Sequence, residues 1–228
     1  MERRGRSVRA MSDIRGLFCG AVDATTPLLA EPALIERFDG PSALAEFSVR
    51  GLAGHLLRAM TSAEGYLDRP EPAVGPGTGT GIISAAEYYA AIMTGATAIN
   101  DPAQQAIRQR GVEAAPAEPK EFPAVWAETA DRLRARLAAE APGRLVQVIG
   151  DLVLTLDEYL VTRLVELVVH ADDLAVSLGV APPALPGAAT GLAITTLVEV
   201  ARGRHGDVAV LRALTRRERD AVEALRVI

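Results

Sequence analysis

The stretch that decides how this chain is read is RLVELVVHADDLAVSLG, Arg163 to Gly179. It is built from Leu, Val and Ala as a buried helix is, yet Glu166 and His170 interrupt it one turn apart. At ~100° per residue, the side chains of Tyr159, Arg163, Glu166, His170, Asp173 and Ser177 share a stripe about 80° wide. Leu164, Val165, Leu167, Val168, Val169, Ala171 and Leu174 fill the remainder. A surface helix carries an apolar stripe on a polar cylinder, and this one is closer to the reverse. The stripe is therefore either a thin solvated seam or a set of polar groups gathered inside a bundle. In the second case Glu166 and His170, at i and i+4, project from one face and can grip one ion.

His55 bears on that choice. It lies in VRGLAGHLLRAMTSAEGYL, residues 49–67, on the face shared with Leu52, Ala59, Ala63 and Tyr66, while Arg58, Thr61 and Glu64 point elsewhere. A lone histidine on an apolar face is more often a hydrogen-bonded core residue than a ligand. One His on an early helix and Glu-x-x-x-His on a later one nonetheless make a three-ligand set. That is the number zinc uses when it catalyses and keeps one position open. Spacing alone leaves both readings standing, because Glu/His pairs at i, i+4 also occur on exposed surfaces.

The chain has 228 residues, enough for one large domain, or one domain with a small appendage. A chain of this size buries roughly 70–75% of the surface its unfolded form exposes, so it needs no disulfide or metal merely to fold. The single cysteine, Cys19, has no partner for an internal bridge and points to a reducing, cytoplasmic compartment. Cys19 itself reads as a small buried hydrophobe of the first helix. No apolar run approaches the ~20 residues needed to cross a bilayer. The basic start MERRGRSVRA lacks a following apolar core and reads as a disordered extension over residues 1–10, with Met11 as a second candidate start. A net charge of −5 and an aromatic content of 4% argue against a nucleic-acid surface. Lys120 is the only lysine, the other basic residues being arginines.

Helical spacing of Ile14, Leu17, Phe18, Ala21 and Val22 predicts a first helix from Asp13 to about Leu28. Ser48 is the expected N-cap of the second, which ends near Asp68. Arg69 to Gly81 reads as a flexible loop. Its Gly77, Gly79 and Gly81 fit no phosphate-binding pattern, since no strand precedes them and no Lys-Ser/Thr pair follows. Ser84 and Glu87 form a capping box that opens a third helix to about Ile99, and Pro123 starts a fourth. Arg144 to Leu156, with Gly150-Asp151 at its centre, suits a short hairpin. A second capping box, Thr155 to Glu158, launches the long helix that stops at Gly179. Pro182, Pro183 and Pro186 form a linker, followed by a helix from about Thr190 to Arg202, a turn at Gly206 and an arginine-rich end. The expected architecture is an all-α antiparallel bundle over 11–180 with a short helical tail, 181–228, packed on it.

The runs RGLAGHLLRA around His55 and TLDEYLVTRLVELVVHADDLAVSLG resemble the mycothiol-dependent maleylpyruvate isomerase family, part of the DinB-like group of metal-binding four-helix bundles. The likeness spans about Asp13 to Gly179, and Arg-Leu-Val-Glu-x-x-x-His-Ala-Asp-Asp-Leu is its most specific segment. It implies that His55, Glu166 and His170 bind a divalent metal, zinc foremost and nickel as an alternative. Two features depart from the family: Phe47 stands where a tryptophan is frequent, and the tail after Ala181 is shorter than the C-terminal domain of the full isomerases.

The resemblance further implies mycothiol as thiol cosubstrate and a small electrophile as substrate, with the metal holding the thiol as its nucleophilic thiolate. Asp173 and Tyr159 are candidates to orient an imidazole by hydrogen bonding. Arg163, closest to the site by helical phase, is a candidate to bind the thiol cofactor or an acidic substrate. Arg212, Arg216, Arg217 and Arg219 offer the same chemistry in the tail but read as a solvated face. His205 reads as a cap or surface residue. The competing function is a non-catalytic metal-binding bundle with a stress-response or protein-interaction role, and pairing into a homodimer through an exposed helix face stays open.

Overall fold

The computed structural model describes residues 14–74, 81–92 and 101–215, together with Leu225. The expected N-terminal extension, Met11, Gly77 and Gly79, the end of the third helix toward Ile99, and Arg216, Arg217 and Arg219 lie outside the described residues. No helix among the described residues is long and apolar enough to cross a membrane.

Four helices close into a ring: α1 (Ile14–Leu29), α3 (Val49–Leu67), α6 (Phe122–Ala139) and α7 (Leu156–Leu178). Helix α7 lies against α1 and α3, and α6 against the same two. The chain is thus an all-α bundle built on four helices. Its centre is filled by side chains at helical spacing, among them Phe18 and Val22, Leu52 and Leu56, Trp126 and Leu133, Leu160 and Leu167, all at most 2% exposed. Arg15 ties the lower end together. Its guanidinium donates to the Leu137 and Glu140 carbonyls at 2.8 and 2.7 Å, satisfying the free C-terminal end of α6, and to Asp157 at 3.0 Å in the first turn of α7.

The caps fall where local chemistry places them. The Ser48 hydroxyl accepts from the Gly51 N–H and starts α3. Gly179, at φ 73°, ends α7 in the left-handed conformation that glycine adopts without strain. The hairpin forms as β1 (Leu145–Gln147) and β2 (Val153–Thr155), antiparallel, with Val146 opposite Leu154. The capping box at Ser84 closes as expected: Glu87 accepts from the Ser84 N–H at 2.8 Å and opens α4 (Ala85–Ile92). The box at Thr155 is only half made. Thr155 accepts from the Glu158 N–H, but the Glu158 carboxylate turns away to accept from the Ala85 N–H at 2.8 Å. It satisfies the start of α4 instead of its own helix, and so docks α4 on α7.

Two helices have no counterpart in the sequence reading, α2 (Pro32–Arg37) and α5 (Pro102–Ala114). Gly111 is the one buried residue of α5, so the helix has no apolar stripe for periodicity to detect. It is held by backbone approach. Gly54 of α3 faces Gly111 so closely that a methyl on either would collide with a carbonyl of the other helix. The tail continues as α8 (Gly187–His205), longer than expected at both ends, and α9 (Asp207–Thr215); α8 packs on α7 and α4, and α9 on α8.

Candidate metal centre

The polar stripe of α7 is directed inward. Of its residues Tyr159 and Ser177 are buried, and Arg163, Glu166, His170 and Asp173 are half-buried; the exposed positions of the helix after Glu158 are Asp172 and Val176. Helix α3 runs antiparallel to α7, and its His55 meets this stripe. The Nε2 atoms of His55 and His170 lie 3.1 and 3.3 Å from the same oxygen, Glu166 Oε2. The two imidazoles meet edge to face at 4.8 Å between ring centres. One ligand atom from each of His55, Glu166 and His170 falls within 4.8 Å of the others, and the three side chains are each less than a fifth exposed.

Neighbouring side chains hold this arrangement. Asp173 accepts from His170 Nδ1 at 2.9 Å, which directs Nε2 toward Glu166. The Tyr89 hydroxyl, on α4, lies 3.0 Å from Glu166 Oε1 and equally 3.0 Å from the Thr162 carbonyl. His55 is backed by the Phe47 ring at 6.2 Å between centres, and its Nδ1 is buried with no hydrogen-bond partner. Close approach of α5 fixes the His55 backbone, since a Cβ on Gly111 would sit 3.4 Å from the His55 Cβ.

Burial would raise the Glu166 carboxyl, but hydrogen bonds from His170 and His55, with the Arg163 charge, hold it well below the usual carboxylate range. Burial lowers His55, and its bond to Glu166 offsets this only in part. Burial would likewise lower His170, yet hydrogen bonds to Asp173 and Glu166 raise it to about 9. An ionised carboxylate, a neutral imidazole and an imidazole that yields its proton to a competing cation form the donor set of a borderline divalent ion. The residues present fit such an ion.

One comparison with known proteins then decides the family. The model of the mycothiol maleylpyruvate isomerase N-terminal domain matches residues 20–175, a span that contains His55, Glu166 and His170. The chain belongs to this family. No curated protein and no solved structure matches it. Within the mycothiol maleylpyruvate isomerase N-terminal fold, the geometry separates the residues singled out from sequence. His55, Glu166 and His170 come together, and Asp173 orients an imidazole as expected. Tyr159 does not: its hydroxyl donates to Ser62 Oγ at 3.0 Å, two turns farther along α3 than His55. Arg163 stands over the Tyr159 ring, 5.0 Å from its centre, on the Glu166 side of the stripe. Cys19 is half-buried beside Arg134, and burial raises its thiol. His205 is the last residue of α8 and is half-buried, its Nε2 enclosed without a partner.

Tyr89 was missed. Its only sequence signal is its place in the helix opened by the Ser84–Glu87 box, which says nothing of what that helix packs against.

Asp173 supplies a test independent of the ligands. Asp173→Asn keeps the shape but weakens the hold on the Nδ1 proton, and such outer hydrogen bonds are worth roughly 10–100-fold in metal affinity. Competition against a fluorescent chelator is expected to show a loss in that range, and unchanged affinity would deny Asp173 its orienting role.

Proposed function

We propose that the chain is a divalent-metal-dependent thiol transferase or isomerase, with zinc as the metal, nickel the alternative, and mycothiol as the thiol. The observation that supports this best is the convergence of two imidazole nitrogens and one carboxylate oxygen within 4.8 Å at the heart of the polar stripe. Among the described residues this cluster has three members, and the Asp173 carboxylate beside it is engaged with His170 Nδ1. Three protein ligands with one position left open is the arrangement of catalytic rather than structural zinc. The ion, when bound, would stabilise a thiol as thiolate near neutral pH.

The chain's own residues do the rest. Asp173 keeps the His170 Nδ1 proton in place so that Nε2 faces inward. Tyr89 steadies Glu166 Oε1 while Oε2 faces the imidazoles. Arg163 adds a fixed positive charge near the reacting groups, available to an anionic thiol or electrophile. Phe47 and the close α3–α5 packing restrict water on the His55 side.

Cobalt-substituted protein tests the thiol step. Adding mycothiol is expected to bring in a sulfur-to-metal charge-transfer absorption that Glu166→Gln protein lacks. Its absence from the wild type would sink the thiol chemistry and favour a non-catalytic metal-binding role.

Metal uptake also has a pH signature. His170 holds its proton up to about 9 in the metal-free chain, so an ion must displace that proton at lower pH. Apparent affinity is expected to rise about tenfold per unit between pH 7 and 8 and to level off near 9. A flat profile over that range in a chelator-competition titration would contradict the assignment of His170 as a ligand.

A further inference from the structure

The residues that join α7 to α8 hold the two helices apart. The Val180 N–H returns to the Ala175 carbonyl at 3.0 Å, which fixes the start of the connection on the end of α7. Pro186 fixes the other end, its ring 3.6 Å from where a Cβ on Gly20 of α1 would stand. Between them Pro182 and Pro183 have no N–H to give to α7, and the Leu185 N–H turns back to the Pro183 carbonyl at 2.9 Å. The strap therefore spans the gap without zipping onto α7. The side chains that line the space beneath it are short, Val168 and Val169 on α7 with Thr190 and Ala193 on α8. A cleft of about 580 Å³ is left between them.

Its walls are unfinished core. Val168, Val169, Leu185 and Leu197 pack against the buried cluster but stay half-buried, and Ile194 beside them is 57% exposed. Apolar walls with a few polar groups, enclosing roughly 300–1,000 Å³, are the ordinary form of a small-molecule site. The charged residues lining this one are Asp172 and Asp173, with no arginine or lysine among them. Among the described residues Asp172 has neither an ion-pair nor a hydrogen-bond partner. Asp173 commits Oδ2 to His170 Nδ1 at 2.9 Å. Two adjacent carboxylates beside apolar walls, unanswered by any cation of the cleft itself, select a ligand with a cationic head and an apolar body.

We propose that this cleft binds a small organic amine, a protonated amino group on a ring-sized apolar body, and that its occupation is felt at the metal centre through Asp173. The ammonium group pairs with Asp172, and the ring lies against the valines and leucines of the walls. The site goes beyond the thiol reading, since His55, Glu166 and His170 do not line the cleft. Asp173 links the two, lining the cleft and holding His170 Nδ1. A cation beside Asp173 draws on the charge that orients the imidazole and repels a divalent ion. Amine and metal therefore weaken each other's binding, by the same factor in both directions.

The test uses tryptamine, with tryptophol and indole-3-propionate as its neutral and anionic counterparts. Calorimetric titration of the metal-free full chain in low salt is expected to show tryptamine binding about fivefold more tightly than tryptophol, and indole-3-propionate not binding. Asp172 is exposed, so Asp172→Asn spares the core; it should weaken tryptamine about threefold and leave tryptophol unchanged. Thr190→Phe fills the cleft from its α8 wall and should abolish binding of both, with thermal unfolding showing that the variant is folded. Equal binding of tryptamine and tryptophol, no tryptamine binding at millimolar concentration, or binding untouched by Thr190→Phe would overturn the site. So would a dimer in sedimentation that Thr190→Phe disrupts and tryptamine does not, which would make a second copy the occupant. Saturating tryptamine should lower zinc affinity roughly fivefold in chelator competition, and unchanged affinity would overturn the link through Asp173. A chain that takes up no zinc yet binds tryptamine in this Asp172-dependent way would uphold the cleft while the metal reading fell.

Discussion

His170→Ala protein is expected to leave purification without a bound ion, where the wild type carries close to one per chain by elemental mass spectrometry. The site offers three ligand atoms within 4.8 Å, so removing one leaves two, too few to hold a divalent ion against buffer. Glu166→Gln is the sharper variant. It keeps the volume and the contact with Tyr89 but removes the charge both imidazoles face. The expected loss of affinity is more than the roughly 10–100-fold typical of residues that merely orient a ligand. Folding should survive in both variants, because the ion is not what closes this core: Leu52, Leu56, Leu160, Leu164 and Leu167 on the two helices that carry the site are packed in the core, each at most 1% exposed. A wild-type chain that takes up no ion when zinc is supplied would reduce the stripe to buried polar packing and remove the chemistry on which the enzyme reading stands.

Gly54→Ala is expected to be the most damaging conservative change on α3. The added methyl would overlap the Gly111 carbonyl oxygen and come within 2.9 Å of the Ala115 nitrogen, both backbone atoms that no side-chain rotation can clear. The helices must part, at a cost of about 3 kcal/mol or more. In a chain of this length that lowers Tm by roughly 6–12 °C. Because the same contact sets the position of His55, metal affinity should fall with it. Gly65→Ala, on the same helix, is the control. It faces open space, and an alanine there should raise stability by about 0.5–1 kcal/mol. Thermal unfolding of the two variants side by side decides the matter: if Gly54→Ala melts with the wild type, the close α3–α5 approach is not a feature of the folded protein.

The helices announced in the sequence are those whose signals are local. Ser48, the Ser84–Glu87 box, Thr155 and Gly179 act through backbone groups within four residues, so reading them in order places both ends of α3 and α7 and the start of α4 almost to the residue. The candidate ligand set is legible for a related reason. The i, i+4 spacing of Glu166 and His170 fixes their common face whatever surrounds the helix. Helix α5 is illegible because what stabilises it is an absence of side chain at Gly54 and Gly111, which no hydrophobic period reports.

What the sequence determined by itself is therefore what short-range geometry dictates: the bundle helices, their caps, and the shared face of Glu166, His170 and Asp173. Only the tertiary structure decided that this face turns inward, that His55 rather than solvent meets it, and that Tyr89 arrives from α4 while Tyr159 reaches Ser62. These pairings join residues dozens to more than a hundred positions apart, and they depend on which helix packs on which and at what height. That is settled by the fit of the whole core rather than by any one segment.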